Sequence, residues 1–125
     1  MDEKVCLDTD VVISILNKDK SAELLLEKIQ DSEVYISVVT LFELLLRETN
    51  LDKIEEFRRK VNLLDLDELS SRKASQLLKN LKSKGQIIEI RDIFIAASCI
   101  TNDCLLITLN LKHFSRIKEH GLRLL

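Results

Sequence analysis

The sequence contains no proline and only two glycines, Gly85 and Gly121. Few breakers therefore mark its elements, and boundaries must be read from apolar periodicity and capping residues. Aromatic residues are scarce, one Tyr and four Phe, too few to argue a stacking platform for nucleobases. No apolar run reaches the roughly 18 residues of a membrane-spanning helix. The start, "MDEKVCLD", is charged and carries no apolar signal region, so a cytoplasmic location with no membrane association is expected. The three cysteines, Cys6, Cys99 and Cys104, are odd in number and form no C-x-x-C pair. That argues against a disulfide framework and a zinc site, and the thiols are expected to be reduced core residues. Excess charge is lacking too: 19 Lys and Arg against 21 Asp and Glu give a formal net charge of -2. With no global basic field, any polyanion must be held locally.

What is present suits one globular domain spanning residues 1–125, with 46% hydrophobic and 32% charged residues. Residues 4–8 read as a short buried strand, 11–17 and 20–30 as helices, and "EVYIS" at 33–37 as a second strand. An apolar helix through "VVTLFELLLRE", a charged amphipathic helix around "LDKIEEFRRKV" and a strand near 62–66 follow. Ser70 or Ser71 is positioned to cap a helix ending at Gly85. "DIFIAASCI" reads as a nearly all-apolar helix, "CLLIT" at 104–108 as a buried strand and "LRLL" as a last strand. Strands separated by helices, without Asn-Gly hairpin signals, predict an α/β fold: a mostly parallel central sheet with helices on both faces.

In a parallel sheet the C-terminal strand ends share one edge, where ligands bind. Asp8 and Asp10 leave the first strand there, and Thr108 and Asn110 leave "CLLIT" at the same edge. Glu43 lies in "TLFELLL", where nearly every other position is apolar. Its bland reading is a capping box, Thr40-x-x-Glu43. Asp92 opens "DIFIAASCI", where an acid also suits the helix macrodipole. Asp8, Glu43 and Asp92 each abut an apolar element, and only Arg91 and Arg47 stand near in sequence. A hard divalent cation, Mg²⁺ or Mn²⁺, would compensate all three carboxylates, and such sites cleave phosphodiesters.

Four blocks, "LDTDVVI", "ISVVTLFELL", "RDIFIAASCI" and "LLITLNLKHF", in this order and spacing, resemble the PIN-domain ribonucleases. Within them the chain is similar to the VapC-like toxins of bacterial and archaeal toxin–antitoxin pairs. The resemblance implies a PIN-like fold and metal-dependent endonucleolytic hydrolysis of RNA by a metal-activated water, leaving 5′-phosphate and 3′-hydroxyl ends. It implies Asp8, Glu43 and Asp92 as metal-binding catalytic carboxylates, with Asn110 where many relatives carry a fourth acid. An amide there removes one negative charge. Thr108 matches the family's hydroxyl beside the site, and Asp10 a position suited to capping the helix from Val11. The resemblance further implies a VapB-like antitoxin whose C-terminal segment covers the cleft, with an arginine as a group suited to its carboxylates, and a homodimer. His113 and Phe114 are expected to be structural, His120 a turn residue, and the basic run at 58–60 a solvated helix face.

Two rivals belong to other classes. A phospho-receiver domain has similar length and an acid pair after its first strand, but needs an acceptor aspartate and a late lysine, for which Asp65 and Lys112 are poor fits. A catalytically silent PIN-like binding module would have lost acidic ligands, yet three of four positions remain acidic.

Overall fold

The structure, a computed structural model, describes residues 3–125. Five strands, β1 (Lys4–Leu7), β2 (Glu33–Ser37), β3 (Asn62–Leu64), β4 (Leu105–Ile107) and β5 (Arg123–Leu124), form one sheet in the order β3-β2-β1-β4-β5. Every neighbouring pair is parallel, with Val5 opposite both Val34 and Leu105, and Tyr35 opposite Asn62. The helices are α1 (Thr9–Leu16), α2 (Lys20–Lys28), α3 (Val38–Leu45), α4 (Leu51–Lys60), α5 (Glu68–Ser83), α6 (Ile90–Thr101) and α7 (Leu111–Phe114), followed by a 3-10 turn over Ser115–His120. The expected α/β sandwich is what forms.

Side-chain alternation along the strands divides the core into two layers. Cys6, Leu64 and Leu106 face one side, where Ala74, Leu77 and Leu81 of α5 and Ile93, Ala96 and Cys99 of α6 cover them. Val5, Leu7, Ile36 and Ile107 face the other, against Val11 and Val12 of α1, Leu44 of α3 and Ile54 of α4. Both sheet faces are thus buried, which is why the strands read as continuous apolar runs. Phe114 is fully buried, and all three cysteines are free and buried, as expected. No helix among the described residues is long and apolar enough to cross a membrane.

Several caps differ from those expected. Asp8, not Asp10, is the N-cap of α1, so that helix begins at Thr9 instead of Val11. Asp8 keeps an extended backbone (φ -72°, ψ 162°) and its carboxylate accepts the Thr9 N–H, which leaves Asp10 inside the first turn. Ser37 caps α3, its hydroxyl accepting from the N–H groups of Val39 and Thr40 at 2.9 and 3.3 Å. Thr40 is therefore already helical, and the Thr40-x-x-Glu43 capping box does not form. Asp67 takes the role expected of Ser70 or Ser71, accepting the Ser70 N–H at 2.9 Å. Gly85 does follow the end of α5, with φ of 70°, the left-handed conformation that such a stop requires.

The strand order reverses direction between β1 and β4: β2 and β3 run to one side of β1, β4 and β5 to the other. A crevice opens at the carboxyl ends of strands flanking such a reversal. Asp8 follows β1 and Thr108 follows β4, so the fold brings both to this point. The same order places β3 at the sheet margin. Asp65, which follows it and is exposed, lacks the central-strand position of a phospho-acceptor.

Candidate active site

Asp8 is only 6% exposed at the reversal point. Its backbone N–H extends the ladder to β4, donating to the Ile107 carbonyl at 2.9 Å. Both carboxylate oxygens are engaged: Oδ1 accepts the Thr9 N–H at 2.8 Å and Oδ2 accepts the Thr108 hydroxyl at 2.7 Å. Burial nevertheless pushes its pKa up to about 6, with the charges of Asp10 and Asp92 adding to the rise and the Thr108 and Thr9 bonds opposing it. An ionised Asp8 is thus a costly group held in place by the fold.

Glu43 reaches the same place from α3. The Thr9 hydroxyl donates to Glu43 Oε1 at 3.0 Å and lies 3.2 Å from the Thr40 hydroxyl, so the first residue of α1 ties the two helices together. On the other side Arg91 Nη1 stands 3.3 Å from Glu43 Oε2. Asp92 sits in the first turn of α6, where the macrodipole favours an acid. Its pKa is nonetheless raised, first by burial and then by Glu89 and Glu43, while His113 and Arg91 pull it down.

These groups open on one cleft of about 330 Å³ whose wall carries five carboxylates, Asp8, Asp10, Glu43, Glu89 and Asp92, together with Asn110 and His113. Thr108 stands behind Asp8 instead of in the wall. The Thr108 oxygen accepts the Asn110 N–H at 3.0 Å, and the Asn110 amide nitrogen meets His113 Nδ1 at 3.0 Å. All five expected site residues, Asp8, Glu43, Asp92, Thr108 and Asn110, therefore lie at or against one cleft.

Sequence reasoning missed Thr9, Glu89 and the inward turn of Arg91, and it gave His113 a structural or peripheral role. His113 is one helical turn beyond Asn110, a spacing that could have linked them. Thr9 gave no signal beyond its place between two aspartates.

The donor set suits a hard divalent cation. It is made of oxygens, and one buried Asp10 oxygen, Oδ1, has no hydrogen-bond partner among the described residues. The acids share a cleft without being gathered to a point: among the described residues no three His, Cys, Asp or Glu side chains form a ready-made metal cluster.

Comparison with known proteins agrees with this geometry. The PIN domain family model matches residues 5–120. Ribonuclease VapC1 of Methanocaldococcus jannaschii is 31% identical over 98% of this chain and 88% of its own, and Ribonuclease VapC2 of Rickettsia felis is 28% identical over 89% and 90%. Among solved structures, the DNA-bound VapBC of Salmonella typhimurium superposes with a TM-score of 0.85 at 27% identity, covering 98% of this chain and 97% of that one. VapBC2 from Rickettsia felis, bound to a fragment of its promoter, gives 0.84 at 25% identity, covering 97% and 96%. Sequence match, fold and acidic cleft agree: this chain belongs to the PIN-domain family, among the VapC ribonucleases.

Proposed function

We propose that this chain is the endoribonuclease toxin of a toxin–antitoxin pair, and that it hydrolyses RNA phosphodiester bonds with Mg²⁺ or Mn²⁺ held by Asp8, Glu43 and Asp92. The observation that carries the reading is the meeting of these three acids, from β1, α3 and α6, on one cleft at the reversal of the sheet. A divalent cation bound there supplies Lewis-acid charge compensation for the phosphate and acidifies a water molecule.

The chain's own residues do the positioning. Thr108 and the Thr9 N–H fix both oxygens of Asp8 at the cleft wall, so the carboxylate is held without a rotamer search. Thr9 fixes Glu43 from the opposite side. Asn110, braced by His113, presents a neutral amide where a fourth acid would add charge. No histidine base is needed when the attacking group is water and not the RNA's own 2′-hydroxyl.

The relatives solved as VapBC complexes support an antitoxin as partner. A wall of five carboxylates is the natural receptor for an antitoxin arginine, whose planar fork matches carboxylate geometry. Leu24 and Leu26 on α2, and Phe42, Leu45 and Leu46 on and just after α3, are exposed, apolar surface suited to the antitoxin segment or to a second copy of the chain. The test is incubation of total cellular RNA with the purified protein. Fragments bearing 5′-phosphates should appear with Mn²⁺ or Mg²⁺ and disappear with a chelator. Intact RNA under both conditions would contradict the proposal.

A further inference from the structure

Among the described residues only one basic side chain stands within ion-pair distance of the cleft acids. Arg91 places Nη1 3.3 Å from Glu43 Oε2 and Nη2 3.5 Å from Glu89 Oε2. Both contacts are longer than the about 2.7–2.9 Å of a firm charge-assisted bond. The Arg91 side chain is also 46% exposed. A pair of this kind is weak and readily exchanged.

Its attachment, by contrast, is fixed. Arg91 is the second residue of α6, between the N-cap Glu89 with Ile90 and the site acid Asp92. Whatever oxygen the guanidinium bonds, it stays at the rim of the cleft. Glu43 keeps a second anchor, the Thr9 hydroxyl at 3.0 Å, and so holds its place if Arg91 leaves. The wall itself carries five acids and no Lys or Arg. A polyanionic substrate entering it is repelled by these acids and attracted by the guanidinium paired with two of them.

We propose that Arg91 exchanges partners during RNA cleavage: it neutralises Glu43 while the carboxylates hold no cation, and it binds an RNA phosphate once Glu43 is committed to a divalent cation. The inference rests on the divalent-cation reading above. One planar fork serves both partners, since carboxylate and phosphate present similar oxygen pairs. Two effects of opposite sign follow. Removing Arg91 frees Glu43 and tightens cation binding, and it strips the rim of its positive charge and weakens RNA binding. A purely structural ion pair would not produce the two together, because it contributes no phosphate contact.

The test is a double-mutant cycle read by calorimetry with Mn²⁺ alone, using wild type, Arg91→Ala, Glu43→Gln and the double variant, each checked for folding by thermal melting. Arg91→Ala should tighten Mn²⁺ binding about two- to fivefold when Glu43 is present, and should leave it unchanged in the Glu43→Gln background. An equal change in both backgrounds, or none in either, overturns the exchange. Failure of wild type itself to bind Mn²⁺ removes the cation reading and this inference with it.

The second arm follows a fluorescent single-stranded oligoribonucleotide by anisotropy, with Ca²⁺ replacing Mn²⁺ to slow turnover. Arg91→Ala should bind it more weakly, with a salt dependence shallower by roughly one phosphate contact, while Arg91→Lys retains the slope. An unchanged slope in Arg91→Ala overturns the phosphate contact.

Discussion

The Thr108 hydroxyl and Asp8 Oδ2, one hundred positions apart in the chain, are joined by a 2.7 Å hydrogen bond across the ends of β4 and β1. This bond is the main interaction opposing the burial that raises the Asp8 pKa. Thr108→Val keeps the shape and removes the donor, so the Asp8 carboxyl should rise further. The pH at which Mn²⁺ binding reaches half its plateau should move to higher pH, with a stability loss of about 1 kcal/mol. Calorimetric Mn²⁺ titrations across pH 5 to 8, a window of about three units around neutrality, decide it. An unmoved midpoint would mean that Thr108 only finishes a strand.

Asp8 also sets a pH dependence for the metal-free protein. Its folded pKa of about 6 lies above the ordinary aspartate value of 3.8. Between these values the folded chain holds a proton that the unfolded chain has released, so stability falls as pH rises through the window. The cost is complete above the folded pKa and amounts to roughly 3 kcal/mol. In urea unfolding with a chelator present, wild type minus Asp8→Asn should therefore show a stability deficit that grows from pH 4 to about pH 7. A flat difference would place Asp8 in a better-solvated setting than the structure gives it.

Glu43 depends on α3 starting where it does. Ser37, fully buried, satisfies the N–H groups of both Val39 and Thr40. Ser37→Ala should lose about 1–2 kcal/mol in chemical denaturation. A loss close to zero would restore Thr40 as the functional cap.

The thiols should be inert in the native state. Burial raises Cys104 to about 11, and contact with Cys6 followed by burial carries Cys99 well above the ordinary thiol range. Because the thiolate is the reactive form and all three thiols are buried, a disulfide reagent at pH 8 should label none of them until denaturant is added. Rapid labelling of Cys99 in the folded protein would contradict the packing of α6 on β1.

The parallel sheet was legible because strands buried on both faces read as apolar runs, and Asp8 and Asp92 stood out as charges at the borders of such runs. Glu43 was visible for the same reason, but its bland reading as a capping box fails, because Ser37 already accepts the Thr40 N–H that Glu43 would have bonded. Asp10 looked like the cap because D-T-D offers two candidates. Only the backbone turn at Asp8 shows which carboxylate receives the Thr9 N–H. Thr9 and Arg91 join the site through contacts with a distant element, 34 and 48 positions away at Glu43. No local pattern encodes such pairs, and spacing along the chain could not have predicted them.

The central claim is that Asp8, Glu43 and Asp92 act together as the acidic centre of an RNA-cleaving enzyme. Its most direct test is the initial rate of RNA cleavage at saturating Mn²⁺ by wild type, Asp8→Asn, Glu43→Gln and Asp92→Asn, each with a native melting profile. A loss of about a hundredfold or more is expected in every one of the three amide variants. Cleavage at the wild-type rate by a folded Asp92→Asn protein would contradict it.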